Sequence, residues 1–217
     1  MNPEIGALFV QVAYIAASAA FILGLRGLTK PDTARRGMQL AAAGMLLAIV
    51  GTLLNHQIIS YELIIIGLVV GTALGLPMGL LVPMTAMPQR IAVSHMFGAL
   101  AVTLVGAAEF LHYRDIPGGA GAVKMVALGF ETLFGALTIT GSFMAFGKLQ
   151  GILPGRPITF FGQKFVNAAI FFGAVALYVA LVVTQSGGAS GAAADLGVPA
   201  FFAMTALALI IGVTLVL

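Results

Sequence analysis

The sequence predicts an all-α integral membrane protein, a polytopic bundle of about seven transmembrane helices with the N-terminus outside. Hydrophobic residues make up 60% of the chain and charged residues only 8%, and the mean hydropathy of +1.10 lies far above that of soluble domains. Apolar runs of about 20 residues, long enough to cross a bilayer, recur along the whole chain. We therefore expect one transmembrane domain over residues 1–217, inserted as a multi-pass protein.

Charged residues, proline and glycine interrupt the apolar sequence and so define the predicted spans. The segment before the first span has no basic residue and carries Glu4, so we expect this span to be retained and not cleaved as a signal. Breaker-rich segments, TKPDTARRG, RDIPGGAG, LPGRPITFFG and QSGGASGAAADLG, follow the first, fourth, fifth and sixth spans. Pro77 and Pro83 should kink or end the third helix, because proline lacks the backbone N–H. The predicted spans are Ile5–Leu25, Met38–Asn55, Leu63–Pro83, Gln89–Leu111, Val123–Gly147, Phe165–Gln185 and Val198–Leu217.

The orientation follows from the basic residues, which gather in the odd-numbered connections between spans. Cytoplasmic loops of membrane proteins carry an excess of Lys and Arg, so these connections should face the cytoplasm and Leu217 should lie inside. The even-numbered connections hold Glu62, a mixed set of Arg114, Asp115 and Lys124, and Asp195. The basic residues of the odd-numbered connections are Arg26, Lys30, Arg35, Arg36, Arg90, Lys148, Arg156 and Lys164.

The fourth span contains a histidine, His95, about 10 Å from its predicted cytoplasmic end. Ionisable groups inside a membrane are costly and usually mark ion or proton pathways, and imidazole exchanges protons near neutral pH. The alternative is a neutral histidine that hydrogen-bonds a neighbouring helix as a packing contact. Glu109 lies on the same helix face about 21 Å away, which suits a second station of a water-connected path. An ordinary solvated helix end is the favoured interpretation of Glu109.

The fifth span carries a second polar face, because Glu131, Thr138 and Ser142 recur at helical spacing. This face can line a hydrated path, although we favour hydrogen bonds to the helix's own carbonyl groups for the two hydroxyls. For Glu131 a functional role is favoured, since a carboxylate buried in lipid is costly. Asn167, early in the sixth span, is a further candidate for the path, or else a contact between helices.

Several function classes are excluded by the residues. The chain has no cysteine, its three histidines are scattered, and it lacks a phosphate-binding loop and a nucleophile with a base, so we predict no metal site and no catalytic residue. The basic residues lie in membrane loops and require no nucleic acid. Three classes remain: a proton-translocating subunit, a small secondary transporter or ion-pathway subunit with a protonatable histidine, and a structural membrane anchor. A transporter would use the Pro77–Pro83 break as a discontinuous helix.

Two segments, MPQRIAVSHMFGALAVTLVGAAEFL at Met87–Leu111 and GALTITGSFMAFGKLQGILPGRPI at Gly135–Ile158, carry a family resemblance. They resemble the membrane domain of the beta subunit of proton-translocating NAD(P) transhydrogenase, and the similarity extends from the first helix through at least Asn167. The resemblance implies that this domain couples proton movement to hydride transfer from NADH to NADP in soluble domains. His95 matches the family's proton-carrying histidine, and the segment Lys148–Lys164 is the candidate relay to the nucleotide.

The resemblance also implies what this chain works with. We expect NAD and NADP in the complete enzyme but no cofactor bound by this chain, and the bacterial inner membrane as its location. Family members continue with further helices, one of which is a related MP…N segment with an asparagine near the proton path, and with an NADP-binding domain. Because this chain stops at Leu217, we expect a fragment that does not transfer hydride alone. The expected partners are the alpha-subunit helices and NAD(H)-binding domain, the beta subunit's NADP(H)-binding domain, a second alpha–beta copy and the lipid bilayer.

Overall fold

A computed structural model describes residues 3–54, 61–114, 121–185 and 192–217. These described ranges are helical, with seven α-helices that are all long and apolar enough to cross a membrane. The prediction of an all-α bundle with seven spans is confirmed, and the orientation of the N-terminus stays a prediction. Asn55, His56 and Asp115 lie outside the described residues. The helices are α1 Pro3–Gly27, α2 Pro31–Leu53, α3 Glu62–Leu80, α4 Met87–Arg114, α5 Ala122–Leu149, α6 Gln163–Gln185 and α7 Ala192–Val216.

Several helices extend beyond the predicted apolar spans. The second helix begins at Pro31 and not at Met38, because proline suits the first turn of a helix and Asp32 complements the helix dipole there. The third helix continues through Pro77 and ends at Leu80, three residues before the predicted boundary at Pro83. Pro83 instead precedes a short 3₁₀ turn, Met84–Ala86, that leads directly into α4.

The chain divides into two compact units, residues 1–76 and residues 77–217. The prediction of a single transmembrane domain stays a prediction. In the first unit, α1 packs against α2. Their contact runs through small residues, with Gly24 beside Ala41 and Gly27 beside Gly37. A hydrogen bond of 2.9 Å also joins the Tyr14 hydroxyl to Thr52 Oγ1.

In the second unit, α5 is the central helix and packs against α4, α6 and α7. The apolar core lies among these four helices, and the rings of Phe110 on α4 and Phe201 on α7 stack with their centroids 4.2 Å apart. Small residues again permit close approach, because Gly129 of α5 lies directly beside the ring of Tyr178 on α6. The fold therefore holds α4 and α5, which carry most of the predicted site residues, against a fixed apolar support.

Candidate functional site

An open groove of about 660 Å³ runs between α4 and α5 in the second unit. Three of the six predicted site residues, His95, Glu131 and Thr138, line this groove together. The sequence placed them on two separate helices, and the register of the α4–α5 contact brings them to one surface. The remaining lining residues are Ser94, Gly98, Ala99, Val102, Phe130, Phe134 and Gly135, so the groove is an apolar cleft with a few polar groups.

Two glycines set the contact between α4 and α5. A Cβ atom added to Gly106 would lie 3.0 Å from Glu131 Oε1 and still closer to Thr132 Oγ1. A Cβ atom added to Gly135 would lie 3.2 Å from the carbonyl oxygen of Ala99 and still closer to Thr103 Oγ1. Each glycine thus makes room for polar side chains at the helix crossing, which is how small residues act between membrane helices.

His95 is exposed in this chain and makes one hydrogen bond to its own helix. Its Nδ1 lies 3.2 Å from the carbonyl oxygen of Ile91. A carbonyl oxygen only accepts, so this bond requires a proton on Nδ1 and leaves Nε2 of a neutral imidazole without one. The imidazole is therefore held in one ring orientation while its second nitrogen remains available.

Glu131 is half-buried where the groove meets the α4–α5 contact, beside the backbone of Gly106. Within the part of the chain that the structure describes, its carboxylate forms no ion pair. Thr138 lies further along α5, where its hydroxyl donates a 2.7 Å hydrogen bond to the carbonyl of Phe134. The predicted bond of this hydroxyl to its own helix is confirmed. The Thr138 oxygen can still accept a hydrogen bond from water or from a neighbouring group.

The other three predicted residues lie away from the groove. Glu109 Oε2 is 3.1 Å from Lys124 Nζ, in an exposed ion pair that joins the last turns of α4 to the first turn of α5. Ser142 is half-buried on α5 and does not line the groove. Asn167 faces α7, where its Nδ2 donates a 3.3 Å hydrogen bond to the carbonyl of Thr214. The contact between helices that we named as the alternative role of Asn167 is therefore present. A role of Asn167 in the proton path stays a prediction.

The structure also identifies polar residues that the sequence reasoning missed. Thr103 and Thr132 are buried at the α4–α5 crossing, each opposite a glycine of the partner helix. Gln89 Nε2 donates to the Leu149 carbonyl at the end of α5, and Lys148 Nζ donates to the Val216 carbonyl of α7. Neither contact could be predicted from the sequence, because both depend on how the helices pack. No cluster of three or more potential metal ligands occurs among the residues described here.

Comparison with known proteins gives one consistent family. Residues 10–217 match the family model described as NAD(P) transhydrogenase beta subunit. Two sequences named NAD(P) transhydrogenase subunit beta, both from Rhodospirillum rubrum, are each 39% identical to this chain over 154 residues. The aligned segment covers 69% of this chain and 33% of each relative. The chain therefore spans about a third of the length of the curated relatives that it matches.

Proposed function

Because the chain belongs to the NAD(P) transhydrogenase beta subunit family, we propose that it forms the proton-translocating membrane part of such an enzyme. In this proposal the chain couples proton movement across the membrane to hydride transfer from NADH to NADP. The observation that carries the proposal is the groove in which His95 and Glu131 meet. Two ionisable side chains that line one open and mainly apolar groove favour a proton path over packing.

His95 is the proposed proton carrier. Its Nδ1 bond to Ile91 holds the ring in place, so a proton can be gained and lost at Nε2 without reorienting the imidazole. Glu131 and the Thr138 hydroxyl oxygen line the same groove and would support a chain of water molecules along it. Glu109 lies beyond Gly106 on α4 and is the proposed outer end of the route, whereas Ser142 and Asn167 would contribute near its other end.

Coupling requires that the nucleotide reaction change which side of the membrane His95 can reach. A ligand shifts such an equilibrium only if it binds the two states with different affinity. We therefore propose two states of this membrane part, one in which His95 exchanges protons with the outside and one in which it exchanges them with the inside. The segment Lys148–Lys164 is the proposed relay between these states and the nucleotide-binding parts.

NAD and NADP are proposed to bind outside this chain. This proposal is supported by the secondary structure, because the described residues contain no β-strand and the usual dinucleotide-binding unit is a strand, a loop and a helix. No step of this proposal therefore depends on a nucleotide bound to these residues. Hydride transfer itself would take place between the NAD(H)-binding domain of the alpha subunit and the NADP(H)-binding domain of the beta subunit.

Further subunits are proposed to cover the groove. His95 and large apolar side chains of α4 and α5 such as Phe97 and Phe130 are exposed in this chain, and an ionisable group facing lipid directly would be costly. The proposed partners are helices of the alpha subunit, further helices of the beta subunit and a second alpha–beta copy. The proposed location is a bacterial inner membrane, with the basic connections in the cytoplasm.

The proposal is tested by replacing His95 with asparagine, which hydrogen-bonds but does not titrate. In the complete enzyme reconstituted in vesicles, His95→Asn should lower proton uptake by about 100-fold or more, the scale on which a lost proton-transfer group acts. The matched control is Ser94→Ala, which lies next to His95 in the groove and removes no titrating group. Proton uptake at the control's level in a folded His95→Asn enzyme would contradict the proposal.

A further inference from the structure

Four basic side chains gather in the first unit, where α1 ends and α2 begins. We call Arg26, Lys30, Arg35 and Arg36 the junction patch. All four side chains are exposed, and Asp32 is the only acidic residue between the first and the last of them. Four positive charges therefore share this short stretch of chain with one negative charge.

The junction keeps these charges together, because α1 and α2 meet there through the backbones of glycines. Gly24 and Gly27 of α1 lie so close to Gly37 of α2 that a Cβ atom added to Gly37 would lie 2.6 Å from the Gly24 carbonyl oxygen. On α2, Arg36 directly precedes Gly37. On α1, Arg26 directly precedes Gly27. The charges on the two helices are therefore held at the same end of the helix pair.

The end of α1 does not need these basic side chains. Lysine and arginine near the end of a helix often bind its last carbonyl groups, which have no partner within the helix. In α1 the last four carbonyls, at residues 24–27, already have partners. The backbone N–H of Leu28 donates to the first two, and the hydroxyls of Thr29 and Thr33 donate to the last two, at 2.8 Å and 2.7 Å.

The junction patch has no partner of its own within the described ranges, where none of its four side chains forms an ion pair or a hydrogen bond. Basic residues of the second unit differ in this respect. Arg90 donates to the carbonyls of Met78 and Gly79 at the end of α3. Lys124 forms an ion pair with Glu109. The patch can therefore bind an anion from outside the chain without breaking any of the contacts described here.

The position of the patch indicates which kind of anion it binds. The helices α1 and α2 are both long and apolar enough to cross a membrane, so their junction lies at a membrane surface, whichever side it faces. Large apolar side chains are exposed beside the charges, and Leu25 and Met38 are 62% and 63% exposed. A phospholipid presents a phosphate next to its acyl chains and so fits both features. Arginine and lysine bind phosphate through their charged ends while their apolar stems lie along hydrocarbon.

We propose that the junction patch binds the headgroup phosphate of an anionic phospholipid, whose acyl chains lie against the exposed apolar side chains of α1 and α2. Basic residues next to a membrane span attract anionic lipids in this way, and the attraction acts within a Debye length of the surface. The inference does not rest on the proposed function, because none of the four residues lines the groove between α4 and α5.

The test places a reporter at the junction in the complete enzyme. The chain has no cysteine, so Leu28→Cys adds one site for a bimane fluorophore, which brominated lipids quench on contact. The same labelling of the enzyme without this change measures the background from other chains. In vesicles of phosphatidylglycerol and phosphatidylcholine, one lipid at a time is brominated, and the quenching gives the ratio of their binding constants. This ratio should favour phosphatidylglycerol about tenfold, as expected when one headgroup meets one or two basic residues.

Substitutions in the labelled enzyme then assign the preference to the patch. Glutamine at all four patch positions should abolish it, and Arg36→Gln alone should lower it about two- to fivefold. The matched control is Arg90→Gln, which removes the same charge from a side chain that is already engaged within the chain and should leave the preference unchanged. Asp32→Asn removes the acidic residue of the junction and should raise the preference. If the fourfold variant fails to insert, the opposite shifts of Arg36→Gln and Asp32→Asn decide the question.

Four results would overturn the proposal. Equal quenching by the two brominated lipids would show that the junction does not select anionic lipid. A preference that persists in the fourfold variant would assign the selection to other residues. Failure of both lipids to quench the fluorophore would show that another chain covers the junction. Displacement of phosphatidylglycerol by inorganic phosphate, but not by chloride at the same ionic strength, would identify a site for free phosphate. Proton uptake by His95→Asn enzyme tests the proposed function separately.

Discussion

The helix pairs α1–α2 and α4–α5 both pack through glycine, yet they enclose different groups. In α1–α2, a Cβ atom added to Gly37 would lie 2.6 Å from the carbonyl oxygen of Gly24 and 3.0 Å from the backbone of Gly27. In α4–α5, the atoms that come nearest to a Cβ added at Gly106 or Gly135 are side-chain oxygens of the opposite helix. Glycine therefore permits backbone contact in the first pair and admits polar side chains in the second. A glycine-rich span indicates close packing but not which of these two uses it serves.

The largest expected effect on stability comes from Gly37→Ala in the first pair. Backbone atoms surround the added methyl group on the α1 side and cannot rotate away, so α1 and α2 must separate. We expect a loss of about 3 kcal/mol, the upper end of overpacking costs. Thermal denaturation in detergent measures this loss. Gly71→Ala on α3 is the control, because nothing lies within 4 Å of a Cβ at that position.

The Gly37→Ala variant also tests whether the α1–α2 pair takes part in coupling proton uptake to hydride transfer. The protons taken up per hydride in assembled Gly37→Ala enzyme should equal the value of the unmodified enzyme, because α1 and α2 contribute no groove residue. A lowered ratio in the protein that remains folded would show that α1–α2 packing also takes part in coupling. The proposed division of roles between the two helix pairs would then be wrong.

The second expected effect comes from Gly106→Ala in the α4–α5 pair. The methyl group would meet side-chain oxygens of Thr132 and Glu131, which can move, so the loss of stability should be smaller, about 1–2 kcal/mol. Proton uptake should fall as well, because the displaced carboxylate lines the groove. Gly98→Ala on the same helix has open space around it and serves as the control for the loss of stability. Normal proton uptake by folded Gly106→Ala enzyme would mean that the position of Glu131 does not matter.

The seven spans of the fold could be predicted from the sequence, but the exact ends of the helices could not. The seven spans follow from hydropathy, because lipid requires long apolar segments with satisfied backbones. The ends of the helices do not follow from hydropathy, because hydropathy measures how well a segment dissolves in lipid and not whether it forms a helix. The helix α2 therefore starts in the charged segment at Pro31, and α4 continues to Arg114, beyond its predicted end at Leu111.

The site was predictable in its residue types and not in its arrangement. His95 and Glu131 were identified because ionisable groups are rare inside a membrane. Both residues line one groove because of the register in which α4 packs against α5. Contacts of Gly106 and Gly135 with the opposite helix set this register, and such contacts between distant parts of the chain cannot be predicted from the sequence. Asn167 has the residue type expected of a path, but its helix turns the amide towards α7.

The third expected effect, small in stability but large in function, comes from Glu131→Gln. Glutamine has almost the same shape as glutamate, so we expect the stability to change by less than about 1 kcal/mol, as for most volume-conserving changes. Removing the carboxylate should lower proton uptake about tenfold. This is less than the roughly 100-fold or greater loss expected for the proton carrier itself. Vesicle proton uptake, normalised to assembled enzyme, measures this change. Unaltered uptake would reduce Glu131 to a packing residue and leave His95 as the only ionisable side chain among the described residues that line the groove.

The smallest expected effect comes from Glu109→Gln, which removes a charge at the end of the same helix pair. The Glu109–Lys124 ion pair is exposed, with 42% and 43% of the two side chains accessible, so water screens it and its loss should cost below about 1 kcal/mol. Lys124 would keep its contact with the Tyr113 ring, 3.5 Å from the ring centroid.

Proton uptake by Glu109→Gln enzyme should stay within about twofold of the unmodified level, since exposed charges affect mainly encounter rates and their salt dependence. Any remaining difference should disappear at about 1 M salt, where the Debye length falls to about 3 Å. A loss as large as that of Glu131→Gln, and insensitive to salt, would make Glu109 an obligatory station. The functional part of the α4–α5 pair would then extend from the groove past Gly106 to the end of the helices, and the glycine there would separate two stations of one path.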